Sequence, residues 1–164
     1  MELPAARLLL TADGAEAALP GVCGLGLRFA AGSLRTLLVL VAGFLWLATG
    51  LASREYFAAA VHKERYYFFW LLTLGALMGV FLAADLITLF VFFEMMSFTS
   101  YVWVAQNETP EALRAANTYL AVAVIGGMTL LVGLFLLYDL LGTLEIGALA
   151  GLAAALPEEK KVPL

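Results

Sequence analysis

Tyr66–Ala105 reads YYFFWLLTLGALMGVFLAADLITLFVFFEMMSFTSYVWVA, and Asp85 and Glu94 are its only charged residues. A bilayer core asks for about 20 apolar residues per helix, so this run is roughly two spans long. It predicts two helices, about 66–83 and 86–105, turning at Ala83-Ala84-Asp85 with Asp85 as a cap. Tyr66, Tyr67 and Trp70 at one end, and Tyr101 and Trp103 at the other, fall where interfacial aromatic belts lie. The pair is therefore a helical hairpin whose outer ends share one side of a membrane.

Working outward, a first span is expected at about 34–53, with Arg35 and Arg54 placed to snorkel to the two interfaces. The loop 54–65 is charged, carrying Arg54, Glu55, His62, Lys63, Glu64 and Arg65. Asn107-Glu108-Thr109-Pro110-Glu111 is a helix start. Thr109 can cap, Pro110 suits the first helical position and Glu111 favours the positive end of the dipole. A fourth span then runs over about 115–138, closed by Asp139 and Gly142. Residues 144–156 are apolar but too short to span, so an interfacial or re-entrant helix is expected there. Residues 157–164 look like the entry to a further element.

Residues 1–33 are expected outside the membrane, because Gly14, Pro20, Gly21, Gly24 and Gly26 interrupt any helix. Cys23, Leu25, Leu27 and Phe29 alternate with Gly24, Gly26 and Arg28, the period of a strand. Leu8–Thr11, followed by Asp13-Gly14, offers it a hairpin partner. The expected fold is an all-α integral membrane protein of four transmembrane helices with an N-terminal β-hairpin-like segment. It divides into a 1–33 hairpin segment, a 34–139 four-helix bundle and a 140–164 interfacial helix with the start of another element.

Composition agrees with burial in lipid. Of 164 residues, 63% are hydrophobic and 13% charged, with mean hydropathy +0.96. Soluble domains carry roughly 45–50% apolar and about 25% charged residues. A net charge of -4 gives no support to nucleic-acid binding. The single cysteine, Cys23, excludes an internal disulfide or a cysteine zinc site and reads as a free buried thiol. Leu8-Leu9-Leu10 is too brief for a signal-peptide core, so the spans themselves are expected to direct insertion. Counting Lys and Arg in the loops does not choose an orientation, although the compact 54–65 loop leans towards the cytoplasm. No phosphate loop, metal-ligand cluster or nucleophile constellation is present. No catalytic residue, metal or cofactor is expected in this chain.

Glu94 is the residue on which chemistry is expected. An ionised acid at mid-span costs roughly 2.5–3.5 kcal/mol on insertion scales, and such residues usually face a bundle interior or a water-filled path. Desolvation favours the neutral acid, and a nearby cation favours the carboxylate. At about 100° per residue, Ser97, Tyr101 and Glu108 share its face. They form a polar stripe able to order water, or hydroxyls that simply bond backbone and neighbouring helices. His62 is either a solvated loop residue or a point of proton uptake. Gly75 and Gly79, like Gly126-Gly127, suit close helix packing. Met95, Met96, Phe90, Phe92 and Phe93 suit packing too. Every Lys and Arg lies in a loop, a helix end or the N-terminal segment. Glu94 is then either protonated at rest or paired with a cation outside these 164 residues, and the second reading is favoured.

The stretch Gly79-Val-Phe-Leu-Ala-Ala-Asp-Leu-Ile-Thr-Leu-Phe-Val-Phe-Phe-Glu94-Met-Met-Ser97 resembles the antiporter-like proton-translocating subunits of respiratory complex I. Energy-converting membrane hydrogenases and multisubunit Na+/H+ antiporters share that family. Ser53-Arg-Glu-Tyr-Phe57, Thr109-Pro-Glu-Ala-Leu-Arg-Ala-Ala116 and Gly142-Thr-Leu144 extend the match. Asn107-Glu-Thr-Pro-Glu-Ala-Leu-Arg114 leans towards the hydrogenase-like and antiporter-like branches. The resemblance implies that Glu94 is the glutamate paired with an intramembrane lysine, which the family carries on a later helix outside this chain. It also implies that the chain is a slice of a larger subunit.

The expected function is proton translocation, with possible exchange of Na+, as a multi-pass subunit in the cell (inner) membrane of a prokaryote. The expected setting is a complex of NADH-quinone oxidoreductase or hydrogenase type, or a cation/proton antiporter. Other membrane subunits, a lysine-bearing segment and the lipid bilayer are the expected partners. The competing expectation is a structural subunit that scaffolds its neighbours without transporting, with Glu94 only bonding an adjacent helix.

Overall fold

The computed structural model describes residues 7–11, 14–21, 26–56 and 62–155. Cys23, the first residues of the alternating segment and the 157–164 tail lie outside them. The chain starts with three short strands, β1 (Arg7–Thr11), β2 (Gly14–Leu19) and β3 (Leu27–Ala30). They form one antiparallel sheet in the order β1-β2-β3. Thr11 pairs with Gly14, and Leu19 with Leu27.

One sequence expectation is corrected here. Leu8–Thr11 does not pair with the alternating strand, because β2 lies between them. Strands consecutive in sequence are the ones that pair, β1 with β2 and β2 with β3. Gly-Ala-Glu-Ala-Ala-Leu contains no β-branched or aromatic residue, so β2 owes its existence to pairing and not to propensity.

Four long helices follow: α1 (Ser33–Tyr56), α2 (Lys63–Leu82), α3 (Leu86–Val104) and α4 (Pro110–Leu141). A ten-residue α5 (Ile146–Ala155) comes last. Each of the four is long and apolar enough to cross a membrane. Local chemistry sets their ends. Asp85, in an extended conformation, accepts a hydrogen bond from Thr88 N–H at 2.7 Å and starts α3. The Thr109 hydroxyl accepts from Ala112 N–H at 3.1 Å, Pro110 takes the first helical position, and Gly142 stops α4 at φ +71°. The 32 residues of α4 are longer than the 115–138 span expected of it. At 1.5 Å per residue they reach roughly 48 Å, beyond the ~30 Å hydrocarbon layer.

The bundle is packed inside out relative to a soluble one. The largest fully buried side chains are Thr73 and Thr88, and Ala76 and Ala116 are also fully buried. Phe44, Leu47, Phe68, Ile125 and Leu136 are more than half exposed. Small residues bring backbones together and lipid covers the rest.

α2 and α3 share the largest interface, α4 packs on α3, and α1 rests more lightly on α2. In the α1–α2 seam, Trp46 stacks on Trp70 with centroids 5.4 Å apart and donates its indole N–H to the Trp70 carbonyl at 3.2 Å. Gly50 leaves room for the same ring: a Cβ there would sit 2.6 Å from Trp70 Cη2. In the α2–α3 seam, Gly79 lies under the ring of Phe92, as close packing requires. Gly75, expected to do the same, has nothing within 4 Å of where its Cβ would be.

The α2–α3 turn is stitched on both sides. Ala84 N–H donates to the Arg28 carbonyl at 2.8 Å, while the Ala84 carbonyl accepts from Ile146 N–H at 3.1 Å. Leu86 N–H donates to Leu144 C=O at 2.9 Å. Arg28 N–H donates to Thr88 Oγ1, which itself donates to Asp85 Oδ2. The Arg28 and Glu145 side chains pair at 3.2 Å, both half exposed.

Candidate functional site

Glu94 lies near the middle of α3, eight residues after its start and ten before its end. Its side chain points at α4 and abuts Gly127, where a Cβ would fall 2.6 Å from the carboxyl carbon and 2.8 Å from Oε2. Oε1 is buried and has no hydrogen-bond partner among the described residues. Neither ion pair of the described residues, Arg28–Glu145 or Arg65–Glu108, involves it. A glycine offers no donor besides a helical N–H already spent on its own ladder. One carboxyl oxygen is therefore buried without being satisfied. That is an uncommon state, since buried polar groups are nearly always paired.

The stripe expected from the helical period is laid out in part. Ser97, nearly one turn on, is buried, and its hydroxyl donates to the Phe93 carbonyl at 3.1 Å. A hydroxyl bound to its own helix in this way still has acceptor lone pairs free. Tyr101, a further turn along, donates to Asn117 Oδ1 of α4 at 3.1 Å. Both Glu94 and Tyr101 thus meet α4. A cleft of about 650 Å³ lies between α3 and α4, lined by Phe93, Ser97, Thr118, Tyr119, Val122 and Gly127. It has room for several waters.

Glu108 leaves the stripe. It follows α3 in a left-handed conformation, φ +51°, and pairs with Arg65 of α2. Arg65 also donates to Gln106 Oε1, and Gln106 Nε2 donates to the His62 carbonyl, each at 3.4 Å. His62 therefore joins this cluster through its backbone. Its side chain is exposed at the N-cap of α2, which it occupies at φ +59° without a capping bond. The structure brings Glu94, Ser97 and Tyr101 onto one interface and leaves His62 at the loop end of the neighbouring one.

Sequence reading missed Asn117 and the specific role of Gly127. Asn117 carried a weak signal as a lone amide in an otherwise apolar helix. Gly127 carried one only as half of a Gly-Gly pair, with nothing to say which half faces Glu94.

Comparison with known proteins supplies the lineage. The sequence profile described as NADH:quinone oxidoreductase/Mrp antiporter, TM, matches residues 83–162. A putative antiporter subunit, mnhD2, of Staphylococcus epidermidis is 38% identical over 128 residues, covering 76% of this chain and 25% of that protein. Its counterpart in Staphylococcus aureus is 35% identical over the same length. The chain thus spans about a quarter of the length of the curated relatives it matches. Among solved structures, the membrane-bound sulfane sulfur reductase, an archaeal respiratory membrane complex, aligns with TM-score 0.64 and 30% identity. That alignment covers 82% of this chain and 27% of the matched one. Together with the four apolar helices, these matches identify the chain as a member of the antiporter-like membrane subunit family shared by NADH:quinone oxidoreductases and Mrp antiporters.

Proposed function

We propose that this chain forms part of a membrane subunit that carries protons across the cell membrane of a prokaryote, with Glu94 as an intramembrane proton carrier. The observation that supports this most is the enclosed, unpartnered Oε1 of Glu94 between two apolar helices. A carboxyl is a group that can take up and pass on a proton, and an approaching cation favours its release. The approaching group is an intramembrane lysine on a segment outside these 164 residues, supplied by the rest of the subunit or by a neighbour. Ser97 and Tyr101 lie along α3 between Glu94 and the 106–114 loop and offer hydroxyls to a relay on that side. His62 lies at the same end of the bundle, where protons enter or leave.

The setting is a multisubunit complex, either redox-driven or a cation/proton antiporter. The relatives span both kinds: putative antiporter subunits and a respiratory membrane complex. Exchange of Na+ against H+ is the same chemistry with a second cation at the carboxylate.

Glu94→Gln keeps shape and polarity while removing the titratable proton. In membrane vesicles holding the assembled complex, it is expected to reduce proton transport at least tenfold with subunit content unchanged; tenfold corresponds to about 1.4 kcal/mol in the barrier. Transport at the wild-type rate would overturn the proposal and leave a scaffolding subunit as the reading.

A further inference from the structure

We infer that Gly127 is a positioning residue for Glu94, its missing side chain being the space in which the carboxyl sits. The inference rests on Glu94 being the proton carrier. Gly126 and Gly127 lie side by side in mid-α4, and glycine is a poor residue for a helix interior. Their surroundings differ. A Cβ at Gly126 would meet nothing within 4 Å, whereas one at Gly127 would run into the Glu94 carboxyl carbon and both its oxygens.

Gly79 makes an instructive contrast, since its Cβ would meet the apolar ring of Phe92. That contact is ordinary helix packing. At Gly127 the close neighbour is the one buried carboxylate oxygen without a partner among the described residues. The bare backbone lets the carboxyl advance to the α4 surface and stay out of the α3–α4 cleft. A methyl group at position 127 pushes it back along its own side chain, away from where it exchanges its proton. Misplacement by about 1 Å can cost a reaction roughly a hundredfold.

Two measurements on the assembled complex test this. The first is modification of Glu94 by a lipophilic carbodiimide, read by peptide mass. Gly127→Ala drives the carboxyl into the cleft and is expected to raise the labelling rate roughly tenfold, while Gly126→Ala leaves it at the wild-type value. Equal labelling in all three proteins overturns the inference, whatever transport does.

The second is a transport cycle with Glu94→Asp, which withdraws the carboxyl by one methylene. Gly127→Ala is expected to slow transport roughly tenfold in the Glu94 background and less than about twofold in the Asp background, as coupled neighbours do. An equal loss in both backgrounds means that the methyl acts on helix packing alone and overturns the positioning role. If Glu94→Gln transports normally, Glu94 is not the carrier, and the labelling result still reports on the notch itself.

Discussion

α3 turns one face to α2 and another to α4, and the two faces handle polar groups in opposite ways. Towards α2, the Thr73 and Thr99 hydroxyls meet at 2.9 Å, and the Trp103 indole N–H donates to Thr73 Oγ1 at 3.3 Å. Thr73 also reaches the Phe69 carbonyl, and Thr99 the Met96 carbonyl. Each polar side chain named there has a partner, and Gly79 lets the helices close over them. Towards α4, Glu94 buries one oxygen that no described residue matches. In lipid, interhelical hydrogen bonds fix geometry at modest energy. A group left unmatched at a similar depth is kept for another reason. The α2 face holds the bundle together, and on the proposed reading the α4 face holds the proton carrier.

Substitutions on the two faces should separate in stability, measured as unfolding of the purified complex in detergent. The largest loss is expected from Gly79→Ala. Its methyl would sit 2.6 Å from Phe92 Cε1, and overpacking of this kind costs about 1–3 kcal/mol. Thr73→Val comes next, since it takes the acceptor from the Trp103 indole N–H and removes the bond to Thr99, at about 1 kcal/mol. Transport per folded complex should survive both changes. Tyr101→Phe removes one bond to an exposed partner and should cost roughly 0.5 kcal/mol. Glu94→Gln should be the quietest, within about 0.5 kcal/mol of wild type, although transport is expected to fall at least tenfold. If Glu94→Gln destabilised the complex as much as Thr73→Val, both faces would be structural and the contrast would collapse.

The helical skeleton was readable because lipid imposes a simple rule: an apolar run of fixed length, bounded by caps. Asp85, Thr109 and Gly142 stop and start helices where their side-chain chemistry requires. Glu94 was readable because an acid in such a run is costly and therefore rare. What stayed hidden depends on pairings across the chain. β2 has no strand-like residues and exists only between its neighbours. The Arg65–Glu108 pair joins residues on either side of a hairpin, and helical periodicity on one helix pointed Glu108 elsewhere. Gly75 and Gly79 share a spacing, yet only Gly79 meets a ring, since Phe92 covers one position and not the other.

The stitched turn at Ala84 has a consequence for biogenesis. Arg28 precedes all four long helices and Glu145 follows them, 117 residues later. Arg28 and Ile146, the residue after Glu145, must both reach Ala84, which leaves a ribosome roughly midway between them. A contact of such long sequence separation forms late, because its loop cannot close until the intervening chain is placed. The α2–α3 hairpin can insert and pair early by local contacts alone. The sheet side of the stitch can close once that hairpin is in, and the Glu145 side only after α4 has crossed. The last bonds to form are then those that require four crossings to have returned the chain to its starting side, so their formation checks the topology of the whole bundle.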